Sequence, residues 1–232
     1  MFQNLTSTIC LILFLALNPS YAETVRLTTH NLAPYSYYEN DKLIGKAVIV
    51  VECAFKQLNN FEAEFIVVPW KRAQQMVEKN EAEGFFAASH NPQRDEYAVI
   101  SEIIAEQKWT WYMLTERIAD PTSDTFKQNY IVSSFLGANM QKWLNQQGFK
   151  LVNQLPSTNL QLFKLLMHKR VDAILANDQV MNKLITENNA ADKISTIINR
   201  NKPLGVYFSK AFIQKNPKFL PSFNQAVLNC RS

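Results

Sequence analysis

Apolar positions change their period along the chain beyond residue 22. Residues 24–29 are a short run rich in β-branched side chains; then Ile44, Val48, Val51, Phe55 and Leu58 recur at spacings of four, three, four and three, the stripe of an amphipathic helix. Residues 61–68 read as a second strand. Pro69 opens a helix whose buried face carries Ala73, Met76 and Val77, and residues 84–89 read as a third strand. This order of strand, helix, strand, helix, strand favours a parallel sheet in a layered α/β fold.

The rhythm then restarts. Residues 108–114 form a long aromatic strand, and the polar stretch 115–128, with Pro121, has the composition of a connection between lobes. Residues 130–134 read as a strand and 138–147 as a helix, and Thr158 with Gln161 forms a capping-box pattern ahead of Leu162, Leu165 and Leu166. A buried strand over 171–176, a helix to Asn188 and strands near 194–198 and over 204–209 come next. Phe219, Phe223, Ala226 and Cys230 then give the stripe of a C-terminal helix. Two α/β lobes are expected.

Residues 1–22 carry no charged side chain, and their apolar run over 9–17 is too short to cross a bilayer, which takes about 20 residues. With small residues at Ser20 and Ala22, the segment reads as a secretory signal cleaved after Ala22. That places the protein outside the cytoplasm, where Cys53 and Cys230, the two cysteines left once Cys10 departs, are expected to be joined. The net charge of +4 is mixed along the chain, with basic pairs at Lys71-Arg72 and Lys169-Arg170 but no stripe, so nucleic acid is not an expected partner. Five glycines, far apart, write neither a dinucleotide fingerprint nor a phosphate loop. The cysteines and three histidines are too scattered for a metal site, and His30 and His90 read as hydrogen-bonded loop residues. No cofactor is expected.

Several short segments, weak singly but ordered and spaced together, carry a resemblance. They are Pro34-Tyr35-Ser36-Tyr37 followed by Asp41-Lys42-Leu43-Ile44-Gly45, then Pro69-Trp70-Lys71-Arg72-Ala73, then the run from Asn91-Pro92-Gln93-Arg94-Asp95-Glu96-Tyr97-Ala98 to Ser101, and later Val171-Asp172-Ala173-Ile174 and Phe208-Ser209-Lys210. In these the chain resembles extracellular solute-binding protein family 3, the periplasmic proteins typified by polar amino-acid receptors. The resemblance spans nearly all of the chain after the signal. It implies a type II, two-lobed periplasmic-binding-protein-like fold, each lobe a mostly parallel sheet flanked by helices. One lobe would take residues 23–113 plus 203–232 and the other 114–202, with hinge strands at 108–114 and 204–209. It also implies a monomer that closes around a small carboxylate-bearing ligand and reports to a membrane permease of an ABC transporter or to a sensor. Some relatives of this fold, the cyclohexadienyl dehydratases, are enzymes, so a small-molecule lyase is the alternative.

Chemistry and resemblance together mark the site. Arg94 follows a strand near the C-terminal edge of a sheet, where α/β folds bind ligands, and a guanidinium can hold a carboxylate through two parallel hydrogen bonds. The resemblance adds the Ser89 hydroxyl, Trp70 as an aromatic wall, and Tyr35, Tyr37 and Arg72 around it. In the second lobe it places an anion-binding turn at Gly137-Ala138-Asn139, where a hydroxyl of the family pattern is lost and Asn139 substitutes an amide. The family's amine-binding acid falls on Asn177. Either Asp178 supplies that charge, or the ligand is not a standard α-amino acid.

Overall fold

The computed structural model describes residues 22–231, so the leader expected over 1–22 lies, but for Ala22, outside the described residues. The chain opens with β1 (Glu23–Thr29), a small hairpin of β2 (Tyr37–Glu39) and β3 (Lys42–Ile44), α1 (Lys46–Lys56), β4 (Phe61–Val67), α2 (Trp70–Glu78), β5 (Gly84–Ser89) and β6 (Ala98–Ile100). It continues through β7 (Lys108–Leu114), α3 (Asp124–Asn129), β8 (Ile131–Ser133), α4 (Asn139–Gln146), β9 (Lys150–Leu151), α5 (Asn159–Met167), β10 (Ala173–Asn177), α6 (Asp178–Glu187) and β11 (Ile194–Asn201). It ends with β12 (Leu204–Ser209), α7 (Lys210–Lys215) and α8 (Phe219–Cys230).

Two five-stranded sheets result, ordered β4-β1-β5-β12-β6 and β11-β7-β10-β8-β9. In the first, β1 pairs in parallel with β4 and β5, while β12 runs antiparallel to both β5 and β6. In the second, β8 pairs in parallel with β10 and β9, while β7 runs antiparallel to both β10 and β11. Each sheet is therefore parallel but for one strand, and in each that strand, β7 or β12, is the first one formed after the chain crosses between lobes.

The crossings are not where the composition put them. The strand over 108–114, expected in the first lobe and at the hinge, pairs along its whole length within the second sheet, and β12 lies wholly in the first. The chain passes between lobes just before β7 and just before β12, where the two crossing segments run side by side. Lys202 N–H donates to the Gln107 carbonyl at 3.0 Å, Gln107 Nε2 to the Lys202 carbonyl at 2.7 Å, and Leu204 N–H to the Ala105 carbonyl at 2.8 Å. The polar stretch 115–128 is a surface segment of the second lobe ending in α3. Its polarity reflects exposure.

Apolar clusters cover both faces of both sheets. In the first lobe α1, α7 and α8 close one face through Val48, Val51, Phe55, Phe212, Phe219 and Phe223, and α2 closes the other through Trp70, Ala73 and Val77. In the second, Leu162, Leu166, Met181 and Ile185 cover one face, and Phe126, Met140, Leu144 and Phe149 the other. Gly45 starts α1 at φ +132°, with its Cα so close to Tyr35 that a Cβ would stand 2.3 Å from the Tyr35 carbonyl oxygen. Cys53 and Cys230 join α1 to the end of α8, with an S–S distance of 2.01 Å and Cα atoms 6.0 Å apart. The capping box ahead of Leu162 is half formed: Thr158 Oγ1 accepts from Gln161 N–H at 3.1 Å, but Gln161 Oε1 accepts from the Ser157 N–H instead.

Candidate functional site

The end of β5 builds the site. Strand β5 is buried at every residue, and Ala87 interrupts its pairing with β12: Gly205 faces Ala88, Val206 faces Phe86, and Ala87 faces no residue at φ +59°. Such a bulge bends the strand and re-aims the residues beyond it. After Ser89 the chain turns through Asn91, whose Oδ1 accepts from Gln93 N–H at 2.9 Å, into a single helical turn that begins at Arg94.

Arg94 is only 3% exposed. Its Nε donates to Gln74 Oε1 at 3.0 Å and one terminal nitrogen, NH1, to the Ser89 carbonyl at 2.8 Å. Its guanidinium carbon lies 5.1 Å from the Trp70 ring centre, 5.6 Å from Phe85 and 5.9 Å from Tyr207. No carboxylate pairs with it among the described residues. Asp95, its neighbour in sequence, is taken by His90 Nε2 at 2.8 Å and by the Tyr207 hydroxyl at 2.9 Å. Burial pushes the Arg94 pKa down to about 10, against the attraction of Tyr97, Tyr207 and Asp95, so it stays a cation at neutral pH. Its second terminal nitrogen makes no hydrogen bond to the described residues.

Arg94 borders a cavity of about 60 Å³ between the lobes. From the first lobe come His30, Leu32, Trp70, Ala87 and Ser89; from the crossings, Gln107 and Leu204; from the second lobe, Trp109, Phe135, Asn139, Met140 and Asn177 among others. The wall is apolar and aromatic with few polar groups, the usual make-up of a small-molecule site. His30 lies tilted by 37° against Trp70, 4.5 Å from ring centre to ring centre, and burial, aided by the Arg94 charge, holds its pKa down at about 3. It is a neutral imidazole. A wider opening of about 660 Å³ adjoins the cavity and shares His30, Trp70, Phe135 and Asn159 with it.

On the second lobe, Asn177 ends β10 and caps α6, its Oδ1 accepting from Val180 N–H at 3.1 Å while its Nδ2 donates to Gln107 Oε1. Asp178 faces elsewhere, its Oδ1 accepting from Lys108 N–H at 3.0 Å. Gly137 N–H, part of the expected anion turn, donates to Gln141 Oε1 at 2.8 Å. Asn139 reaches across the cleft, Nδ2 donating to Ser89 Oγ at 2.9 Å and to the Ser89 carbonyl at 3.0 Å, and Oδ1 accepting from Asn91 Nδ2 at 2.5 Å.

Of the residues singled out from sequence, Trp70, Ser89, Arg94, Asn139 and Asn177 thus meet at one cavity. Three do not. Tyr35 is fully buried in the first lobe and its hydroxyl donates to the Glu106 carbonyl at 2.9 Å; Tyr37 pairs with Ile44 in the hairpin; Arg72 is exposed on α2. The helical period explains Arg72, since two residues beyond Trp70 is a different face, whereas Gln74, four beyond, lies on the same face and holds Arg94. Gln74 was legible from that spacing. Gln107, Trp109 and Phe135 were not, because the polar residue before an aromatic strand and the apolar residue after a short one carry no local mark of a cleft.

No protein-family model and no curated protein sequence matches the chain. Solved structures do. The ligand-binding core of GluR0 from Nostoc punctiforme, in complex with L-glutamate, superposes with a TM-score of 0.74 at 16% identity, covering 89% of this chain and 92% of that one. A histidine kinase sensor domain with similarity to periplasmic binding proteins gives 0.76 at 14% identity, covering 91% of both chains. The chain has the two-lobed periplasmic-binding-protein fold. An ancestral amino acid-binding protein, AncCDT-1, described as a precursor of cyclohexadienyl dehydratase, shares it with a TM-score of 0.72 at 16% identity, covering 90% of this chain and 89% of that one. At such identities the likeness is one of fold.

Proposed function

We propose that this protein is an extracytoplasmic solute-binding protein whose lobes close over a small carboxylate-bearing ligand of amino-acid size, as a monomer serving a membrane permease or a sensor. One observation carries the reading: Arg94 is a buried cation without a carboxylate partner among the described residues, at a cavity walled by both lobes. Burying an unpaired charge is costly, and a ligand carboxylate would relieve that cost on binding. The neighbours with glutamate or amino acids in their descriptions support a ligand of this size. A lyase would need a general acid at the cavity; the residues that line it include no Asp or Glu, and His30 is held neutral.

The test is a thermal-shift panel of small carboxylates. A ligand at about 100 times its Kd adds about 2.7 kcal/mol to stability. In Arg94→Met every carboxylate-induced shift is expected to vanish while the ligand-free protein stays folded, because the substitution also removes a desolvated charge. A carboxylate bound equally well by the variant would reject Arg94 as its anchor, and ligand recovered chemically changed would reject binding without turnover.

A further inference from the structure

We propose that the site selects carboxylates that carry no α-ammonium group, that is, small monocarboxylic acids with an uncharged body rather than zwitterionic amino acids. The inference rests on the carboxylate-binding reading and on the hydrogen-bonding groups that the cavity wall can still offer a ligand.

An ammonium entering this cavity needs a counter-charge and acceptors for three N–H groups. The one charged residue lining the cavity is the cation Arg94, with no Asp or Glu beside it among the described residues. The three acids adjacent in sequence to lining residues are engaged elsewhere: Asp95 with His90 and Tyr207, Glu106 with Arg231 at 3.4 Å, Asp178 with the Lys108 N–H. Glu187, in the wider opening, is paired with Lys183 at 2.7 Å. Of the four side-chain amides that line the cavity, all but Asn159 have their oxygens engaged. Asn177 Oδ1 caps α6, Asn139 Oδ1 accepts from Asn91, Gln107 Oε1 accepts from Asn177, and the Ser89 carbonyl already accepts from both Arg94 and Asn139.

Donors, by contrast, are left over. Trp109 lines the cavity, and its indole N–H is buried without an acceptor among the described residues; the His30 Nδ1, likewise unpartnered, belongs to a neutral ring that offers one donor and one acceptor. Arg94 keeps a terminal nitrogen unused. A cavity with a cation, a spare indole donor and no carboxylate, its amide oxygens mostly engaged, complements an anion and penalises an ammonium, while Trp70, Phe135, Met140 and Leu175 suit an apolar body.

Calorimetry on the secreted protein with matched pairs tests this: propanoate against alanine, butanoate against 2-aminobutanoate, and 3-phenylpropanoate against phenylalanine. For the pair that fits best, the acid without the amine is expected to bind at least about tenfold tighter, a difference of about 1.4 kcal/mol. Asn177→Asp, which keeps the helix cap because Asp caps as well as Asn, is expected to shift the ratio at least about tenfold toward the amino acid. An amino acid bound as tightly as its partner, or more tightly, by the unmodified protein overturns this inference and leaves the carboxylate reading standing. An unchanged ratio in Asn177→Asp overturns the attribution to the missing acid. No binding by any member of the three pairs, with Arg94→Met behaving identically, overturns the carboxylate reading and this inference with it.

Discussion

Asn139 and Ser89 face each other from opposite lobes, and one amide group of Asn139 spans the gap, donating to the Ser89 hydroxyl at 2.9 Å and to the Ser89 carbonyl at 3.0 Å. The same Nδ2 lies 3.3 Å from the His90 carbonyl, and Lys142 Nζ, one turn further along α4, donates to Gln93 Oε1. These contacts latch the start of α4 onto the loop that carries Arg94.

Net hydrogen bonds of this kind contribute about 0.5–1.5 kcal/mol each, so removing the Asn139 side chain costs the closed arrangement on the order of 2 kcal/mol. A two-state clamp shifts about tenfold for every 1.4 kcal/mol. Asn139→Ala is therefore expected to open the ligand-free protein, seen as a larger radius of gyration in X-ray scattering, with little change in unfolding temperature. An unaltered scattering curve would show that Lys142, with Lys46 and Gln179 at 2.7 Å on the other side of the cleft, holds the lobes without it.

His30 makes stability depend on pH. Its folded-state pKa, about 3, lies below the ordinary value of 6.5 because burial, then the nearby Arg94 charge, disfavours the imidazolium. Between those values the unfolded chain binds a proton that the folded one does not, so this contribution is complete above about pH 6.5 and is lost as pH falls toward 3, at up to about 1.4 kcal/mol per unit. His30→Phe should flatten that slope in urea titrations from pH 7 to 4. Parallel slopes for the two proteins would mean that the imidazole is accessible to protons in the folded state.

The Cys53–Cys230 bond spans 177 residues of sequence but ties together two helices of one lobe, packed through Phe55, Phe219 and Phe223. Loop-entropy reasoning puts the stabilisation near 5 kcal/mol at most, and native disulfides typically supply about 2–4. Reduction is expected to lower the unfolding temperature of the protein by several degrees without abolishing ligand-induced stabilisation, since neither cysteine lines the cavity. A full loss of binding on reduction would contradict that separation.

Sequence made the elements legible wherever one periodicity ran long enough. The stripe from Ile44 to Leu58 and the strands over 84–89 and 204–209 needed only local information. Arg94 was legible for a topological reason, since it follows a buried strand at the end of a parallel sheet. What escaped was set by partners distant in sequence. The lobe crossing depends on Gln107 meeting Lys202, and the position of Asn139 on Ser89, 50 residues away, is dictated by how the lobes meet. A composition shift at 115–128 reports exposure, so it could not stand in for the crossing.

Ala87 offers a last test, because its backbone departs from what its side chain favours. At φ +59° it occupies the left-handed region, which costs an L-residue roughly 1–2 kcal/mol and a glycine almost nothing. Glycine loses about 0.5–1 kcal/mol more entropy on folding, so Ala87→Gly is expected to leave stability equal or raised by up to about 1 kcal/mol. Ala87→Val combines a β-branched side chain in that region with added bulk at a cavity wall, and is expected to cost more than about 2 kcal/mol and to weaken any carboxylate ligand. Chemical denaturation of both variants separates the two effects: if Val is tolerated as well as Gly, the strand pairs with β12 without its bulge, and the path that carries Ser89 and Arg94 to the cavity is not fixed at Ala87.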